Sequence, residues 1–299
     1  MANRASTIRA ITLAVAVCLP AAVARANELK PETLQSWNSY VQTANSKIRS
    51  RFDGRRSFLW IDERKDLAPL VRQGQAVVSP ASDENPTSVA RGLIHHWIGA
   101  VFVPDAKLGD VLALLTDYDR YSDFYKPMVA GSRVLERSGP NQKFTLVIVQ
   151  RAFSVTAAID TENEARLVRL SPQRAYIISQ ATRVQEIANF GEPVQTKLPP
   201  DRGPGYIWRL QTVIRTEERD GGVYIEIETI ALSRGIPKSM FWLVKPLTNH
   251  VPKNRMLATL EDTRRAIIQE AMTESGLTRA VGGPAEASGT QAVRGAVVH

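Results

Sequence analysis

Two adjacent histidines, a cluster of acids among tyrosines, and small hydroxyls along an apolar strand are the residues of this 299-residue chain most suited to chemistry. His95 and His96 are neighbours, while His250 and His299 lie far off in the sequence. Adjacent residues on a strand point to opposite faces, so His95 and His96 cannot serve one metal from that element. No Glu-x-x-His or repeated His-x-His accompanies them, and ordinary packing with no metal site is the expectation. There is no Gly-x-Ser-x-Gly elbow and no phosphate-cradling glycine loop; Gly203-Pro204-Gly205 reads as a turn. A Ser-His-Asp triad needs only to meet in space, so spacing alone leaves it open.

Asp117, Asp119 and Asp123 alternate with Tyr118, Tyr121 and Tyr125. Carboxylates beside phenols do acid–base work when they are desolvated. The same residues also cap a helix end and pack the following turn, and that is the preferred reading. No catalytic residue is assigned, and no cofactor is expected. The best group for contacting a ligand is Trp208, Thr212, Thr229 and Ser233, joined by Tyr118 and Tyr125. An apolar wall with sparse hydroxyls suits a mostly apolar ligand with a polar end. Its alternative is a filled core in which backbone carbonyls satisfy the hydroxyls.

That group depends on a hairpin. The run from Tyr206 to Ser233 is two alternating strands around Arg219-Asp220-Gly221-Gly222. A two- or four-residue loop pairs Arg215 with Glu226 and Glu217 with Tyr224. One face then carries Arg209, Gln211, Val213, Arg215, Glu217, Tyr224, Glu226 and Glu228, and its polarity predicts contact with water. The other carries Trp208, Leu210, Thr212, Ile214, Ile225, Ile227, Thr229, Ala231 and Ser233. A three-residue loop would exchange the faces.

The elements around the hairpin follow from periodicity. Residues 31–51 predict an amphipathic helix with Leu34, Trp37, Val41, Ala44 and Ile48 on its apolar side. Short strands are expected at 58–61 and 75–79, then a longer one at 94–103. Leu108, Val111, Leu112 and Leu115 mark a helix. Strands follow at 132–137, 143–151, 153–160, 166–170 and 175–187. Met256, Leu257, Leu260, Ile267, Ile268 and Ala271 give the apolar side of a final helix. A curved antiparallel sheet closing on that helix gives an α+β grip.

The ends of the chain address its destination. Arg4 and Arg9, the apolar run from Ile11 to Pro20 and Ala24-Arg25-Ala26 have the three-part form of a secretory signal. Cleavage after Ala26 would remove Cys18, the only cysteine, and with it any disulfide or thiolate chemistry. Three arginines would leave too, lowering the formal charge from +8 to about +5. That modest excess, scattered among acids, argues with export against a nucleic-acid partner. The divisions expected are a leader at 1–26, an N-terminal helix and strand extension at 27–84, the main domain at 85–275 and a disordered tail at 276–299. Ser239-Met240-Phe241-Trp242-Leu243-Val244, flanked by Lys238 and Lys245, reads either as a weak membrane-surface contact or as a buried helical turn.

The strand Gly92-Leu93-Ile94-His95-His96-Trp97-Ile98-Gly99 leads through a helix to Asp117-Tyr118-Asp119-Arg120-Tyr121. Trp208-Arg209, the hairpin turn, Ser233-Arg234-Gly235-Ile236-Pro237 and Thr263-Arg264-Arg265 follow in order. Over residues 85 to 272 this resembles START-like proteins of the SRPBCC helix-grip superfamily, in particular secreted bacterial members. The resemblance implies a deep cavity between the concave sheet and the last helix, holding a lipid or other hydrophobic small molecule. The expected function is therefore an exported binding or carrier protein in the periplasm or outside the cell. A cyclase- or dehydratase-like enzyme using the same cavity, and a ligand-free interaction module, are the alternatives.

Overall fold

The computed structural model describes residues 27–281 except 153, 154, 236 and 237. The side chains of 27, 152–155, 236–250 and 274–281 also fall outside the described residues, which puts the leader, the 239–244 segment and most of the tail there.

The extension comes first. β1 (Asn27–Glu28) precedes α1 (Pro31–Phe52), whose first turn carries the Pro31 and Glu32 favoured at helix starts. Its buried stripe, Trp37, Ala44 and Ile48, is the one read from the 3.6-residue period. Residues 58–61, expected to form a short strand, instead run into a 3-10 turn, Trp60–Glu63. The reason lies across the fold: the backbone N–H groups of Trp60 and Ile61 donate to the Glu226 carboxylate at 2.9 and 2.7 Å. A one-turn α2 (Ala68–Arg72) completes the extension.

The strands are β2 (Val77–Pro80), β3 (Thr87–Val89), β4 (Gly92–Pro104), β5 (Val129–Ser138), β6 (Asn141–Ala152), β7 (Val155–Ser171) and β8 (Arg174–Ala188). After them come β9 (Thr196–Lys197), β10 (Arg202–Gly203), β11 (Arg209–Arg219) and β12 (Gly222–Arg234). Between β4 and β5 lie α3 (Leu108–Leu115), a 3-10 turn (Tyr118–Arg120) and α4 (Tyr121–Phe124). The main sheet runs β2-β4-β12-β11-β8-β7-β6-β5, with β3 on β4 and β9 on β8; β1 pairs with β10. Two expected strands, 153–160 and 166–170, are parts of the single 17-residue β7. Thr161 and Asn163 interrupt its apolar pattern; the ladder to β6 runs through them unbroken, while the ladder to β8 shifts register between Glu162 and Asn163.

The chain closes with α5 (Lys238–Val281), which reaches five residues past Gly276, where the tail was expected to begin. Met256, Leu260, Ala266 and Ile267 of α5 pack on Trp97, Val101, Ile225 and Ile227. Gly99 permits this closeness: a Cβ there would stand 2.7 Å from Leu260 Cδ1 and 2.8 Å from the Val77 carbonyl oxygen. The result is the α+β helix-grip arrangement, a large antiparallel sheet with its C-terminal helix on one face.

The hairpin register is the predicted one, Arg215 opposite Glu226 and Glu217 opposite Tyr224. Asp220 and Gly221 both have positive φ, as the two-residue turn of a right-twisted hairpin requires. The environment of the polar face is a correction. That face does not meet water: Arg215 and Glu226 are fully buried, and Gln211, Glu217 and Glu228 nearly so. The extension covers it, and buried charge is tolerated there because each group meets a counter-charge or a donor.

Candidate functional site

The two faces of the sheet are told apart by what they touch. Odd-numbered positions of β4 from His95 to Val103, and Ile225, Ile227, Thr229, Ala231 and Ser233 of β12, lie on the α5 side. On β11 the same side holds Leu210, Thr212, Ile214 and Thr216, and on β8 Ala175, Ile177 and Ser179. Nearest α3 this face is filled. Val101, Val103, Val223, Ile225, Leu112, Leu115, Phe144 and Tyr118 form one packed cluster.

Further along the strands the same face opens. Leu210, Thr212 and Ile214 of β11, Thr229 of β12, Ser179 of β8, and Leu146 and Ile148 of β6 are only half-buried, although their strands sit in the interior of the sheet; Ile214 and Leu146 lean on the filled cluster, and Leu210 and Ile148 on a small second one of Ile159, Ala181 and Val184. At the margins of this hollow stand buried polar groups. His95 Nε2 is 3.0 Å from Ser233 Oγ, while its Nδ1 has no partner. Burial drives the His95 imidazole down to about 4, so it is neutral at pH 7. The Trp97 indole N–H is buried and unpartnered. Asn163 Nδ2 donates to Thr161 Oγ1 at 2.8 Å, and Thr161 Oγ1 donates to the Leu146 carbonyl at 3.2 Å. Glu186 is buried and raised by that burial, although the backbone N–H groups of Gly205, Tyr206 and Ile207 pull the other way.

Of the residues singled out in sequence, Thr212 and Thr229 are direct cross-strand partners on this face, and Ser233 lies on the same strand edge. Trp208 is not among them. It precedes β11 and packs with Leu29, Trp37, Ile94, Ile230 and Leu232 beneath α1, on the opposite side of the sheet. Tyr118 stacks on Phe144 with centroids 3.7 Å apart, inside the filled cluster. Tyr125 is buried with its hydroxyl 3.0 Å from Thr263 Oγ1, and burial raises it to about 12. Asp119 accepts from the Val134 N–H and pairs with Arg137, and Asp123 pairs with Lys126. The acids therefore hold the turns after α3. Sequence reading missed His95, Trp97, Thr161 and Asn163 as hollow-side residues. Alternation along β4 and β7 was the signal that could have found them.

The opposite face carries a different constellation. Arg215 Nε donates to Glu226 Oε2 at 3.0 Å, and its Nη1 lies 2.8 Å from Glu228 Oε2. Glu228 Oε1 is 2.9 Å from His96 Nε2, and His96 Nδ1 is 3.0 Å from the Tyr40 hydroxyl of α1. Burial alone would raise Glu228, but Arg215 and His96 outweigh it and hold the carboxyl at about 2. His95 and His96 point to opposite faces, as their adjacency predicted. Among the described residues, no group of three His, Cys, Asp or Glu side chains is placed to hold a metal ion.

No protein-family model matches the chain, and no curated protein matches it. Among solved structures it is similar to a STAR-related lipid transfer protein fragment from Xanthomonas axonopodis, at 17% identity and a TM-score of 0.42, covering 64% of this chain and 98% of that one. It is similar to a Streptomyces aromatase/cyclase at 14% identity and a TM-score of 0.41, covering 64% and 99%. A human StarD13 lipid transfer and protein localization domain gives 9% identity and a TM-score of 0.40, covering 68% and 97%.

Proposed function

We propose that the chain is an exported protein that binds and carries a hydrophobic small molecule or lipid in the hollow between the sheet and α5. One observation carries the reading. Leu210, Thr212 and Ile214 of β11, with Thr229 and Ser233 of β12, give an apolar, hydroxyl-dotted surface toward α5 that stays half-open where a closed core would be filled. Burial of apolar ligand surface at about 25 cal/mol per Å² would drive binding, with the hydroxyls setting orientation. Export rests on the form of residues 1–26, and the working place is the periplasm or the outside of the cell. Such a hollow suits either carriage or catalysis. Carriage is favoured because Asp119 and Asp123 are engaged in ion pairs at exposed turns.

The test is titration with an environment-sensitive fluorescent fatty alcohol. The wild-type chain should take it up saturably. Thr212→Trp, which places an indole in the hollow, should reduce uptake at least about tenfold while leaving thermal unfolding cooperative. Uptake unchanged by that plug would remove the hollow as the site.

A further inference from the structure

The hydroxyls of the hollow are not scattered. Trp97 stands opposite Thr229, Thr229 opposite Thr212, Thr212 opposite Ser179, and Ser179 opposite Ala165. They form one row at right angles to the strands, on the α5 side. Strands lie about 4.8 Å apart, so the three hydroxyls repeat every ~5 Å over a span of ~10 Å. Thr229, Thr212 and Ser179 are half-buried, and none makes a hydrogen bond to another described side chain or carbonyl. The next row toward α3 is Gly99, Ile227, Ile214, Ile177 and Leu167, wholly apolar. On the other side run Ala231 and Leu210, with His95 at the β4 end.

The row ends on an independent feature. Trp97 is 7% exposed, and its indole N–H has no acceptor among the described residues; His95, two residues back on the same face, is 9% exposed with Nδ1 likewise without a partner there. A buried donor left unmet costs about 1–3 kcal/mol, and an oxygen laid on this row would meet the Trp97 N–H. No Lys, Arg, Asp or Glu lies in the hydroxyl row or the apolar row beside it. A charged group laid on this wall would lose its hydration without a counter-charge from the sheet.

We propose that the hollow takes an elongated, mostly apolar, uncharged molecule with several hydroxyl or carbonyl oxygens along one edge, laid across β12, β11 and β8 with that edge on the Trp97–Thr229–Thr212–Ser179 row. This rests on the reading of the hollow as the ligand site. It differs from a single-headed lipid, whose one polar end would leave most of the row unmet. The arrangement selects by oxygens spaced along the length of the molecule.

The test compares three rigid probes by calorimetry on the purified chain: methyl cholanate without hydroxyls, methyl cholate with three hydroxyls on one face, and charged cholate. Methyl cholate should bind at least about tenfold more tightly than methyl cholanate, the worth of two or three neutral hydrogen bonds. It should also bind more tightly than cholate. The isosteric double variant Thr212→Val/Thr229→Val should erase the preference for methyl cholate, bringing the affinity ratio of the two esters to about one. Ser179→Ala, with smaller effect and the same sign, serves if the double variant unfolds. Equal binding of the two esters, a preference that survives the valines, or tighter binding of cholate would overturn the inference while leaving the hollow as a site. Binding of none of the three, with no uptake of the fatty alcohol, would remove the hollow itself.

Discussion

The two faces of one sheet have divided their labour. The face under α1 is covered and charged: Arg215, Glu226, Glu228 and His96 are buried and connect through Tyr40 to the extension, with a cleft of about 300 Å³ between α1 and the sheet reaching His96 and Glu228. The face under α5 is mostly apolar, with Glu186 at its margin, and it is half-open over β11 and at Thr229 and Ser233 of β12. Charge is therefore buried where the protein supplies counter-charges, while hydroxyls and a neutral histidine line the less covered side. The difference teaches that polarity in a strand pattern does not by itself tell which face is wet. What decides is whether another element is available to cover the face and meet its charges.

Breaking the covered face should cost most. Arg215→Met leaves two buried carboxylates without their cation and should destabilise by about 3–5 kcal/mol in denaturant unfolding. Adding Glu226→Gln and Glu228→Gln should recover a large part of that loss; no recovery would mean that Arg215 acts chiefly through packing.

Acid should separate the faces. His95 is depressed in the folded chain to about 4 from an ordinary value near 6.5. Its contribution is fully present above pH 6.5 and is lost as pH falls toward 4, by about 3 kcal/mol in all. Glu228 is likewise depressed, to about 2, so its contribution persists to about pH 4.3 and is lost only as pH falls toward 2. Stability measured from pH 7 to 4 should fall, and His95→Gln should flatten that slope while leaving the loss below pH 4. An unchanged slope in the variant would take His95 out of the account.

The junction with α5 should respond less. Gly99→Ala places a methyl group against Leu260 and the Val77 carbonyl, and should cost about 1–3 kcal/mol. Smallest should be Tyr40→Phe. It removes one hydrogen bond to His96 and should cost about 0.5–1.5 kcal/mol with no change in probe binding. Altered binding would show that the two faces communicate.

Much of this was legible in residue order. The Asp220-Gly221 turn and strict alternation fix the register of β11 and β12, and the 3.6-residue period fixes α1 and α3. Thr212 and Thr229 followed from the same register. The burial of the polar face was not legible, because its partners, the N–H groups of Trp60 and Ile61, lie some 165 residues away in sequence. The apolar stripe of α1 required a surface to cover, but nothing local named β11 and β12. Trp208 was misplaced because alternation was extended one residue beyond the start of β11, where the chain turns under α1. β7 was divided because Thr161 and Asn163 are polar on the side where a filled core would be apolar.

The most direct measurement is native mass spectrometry of the full chain, purified without detergent from cells that make it. A reproducible neutral adduct of a few hundred daltons, absent from the Thr212→Trp variant, is the result the account predicts. A bare polypeptide mass in both proteins, with the wild type still folded and still refusing the fatty alcohol probe, would contradict it.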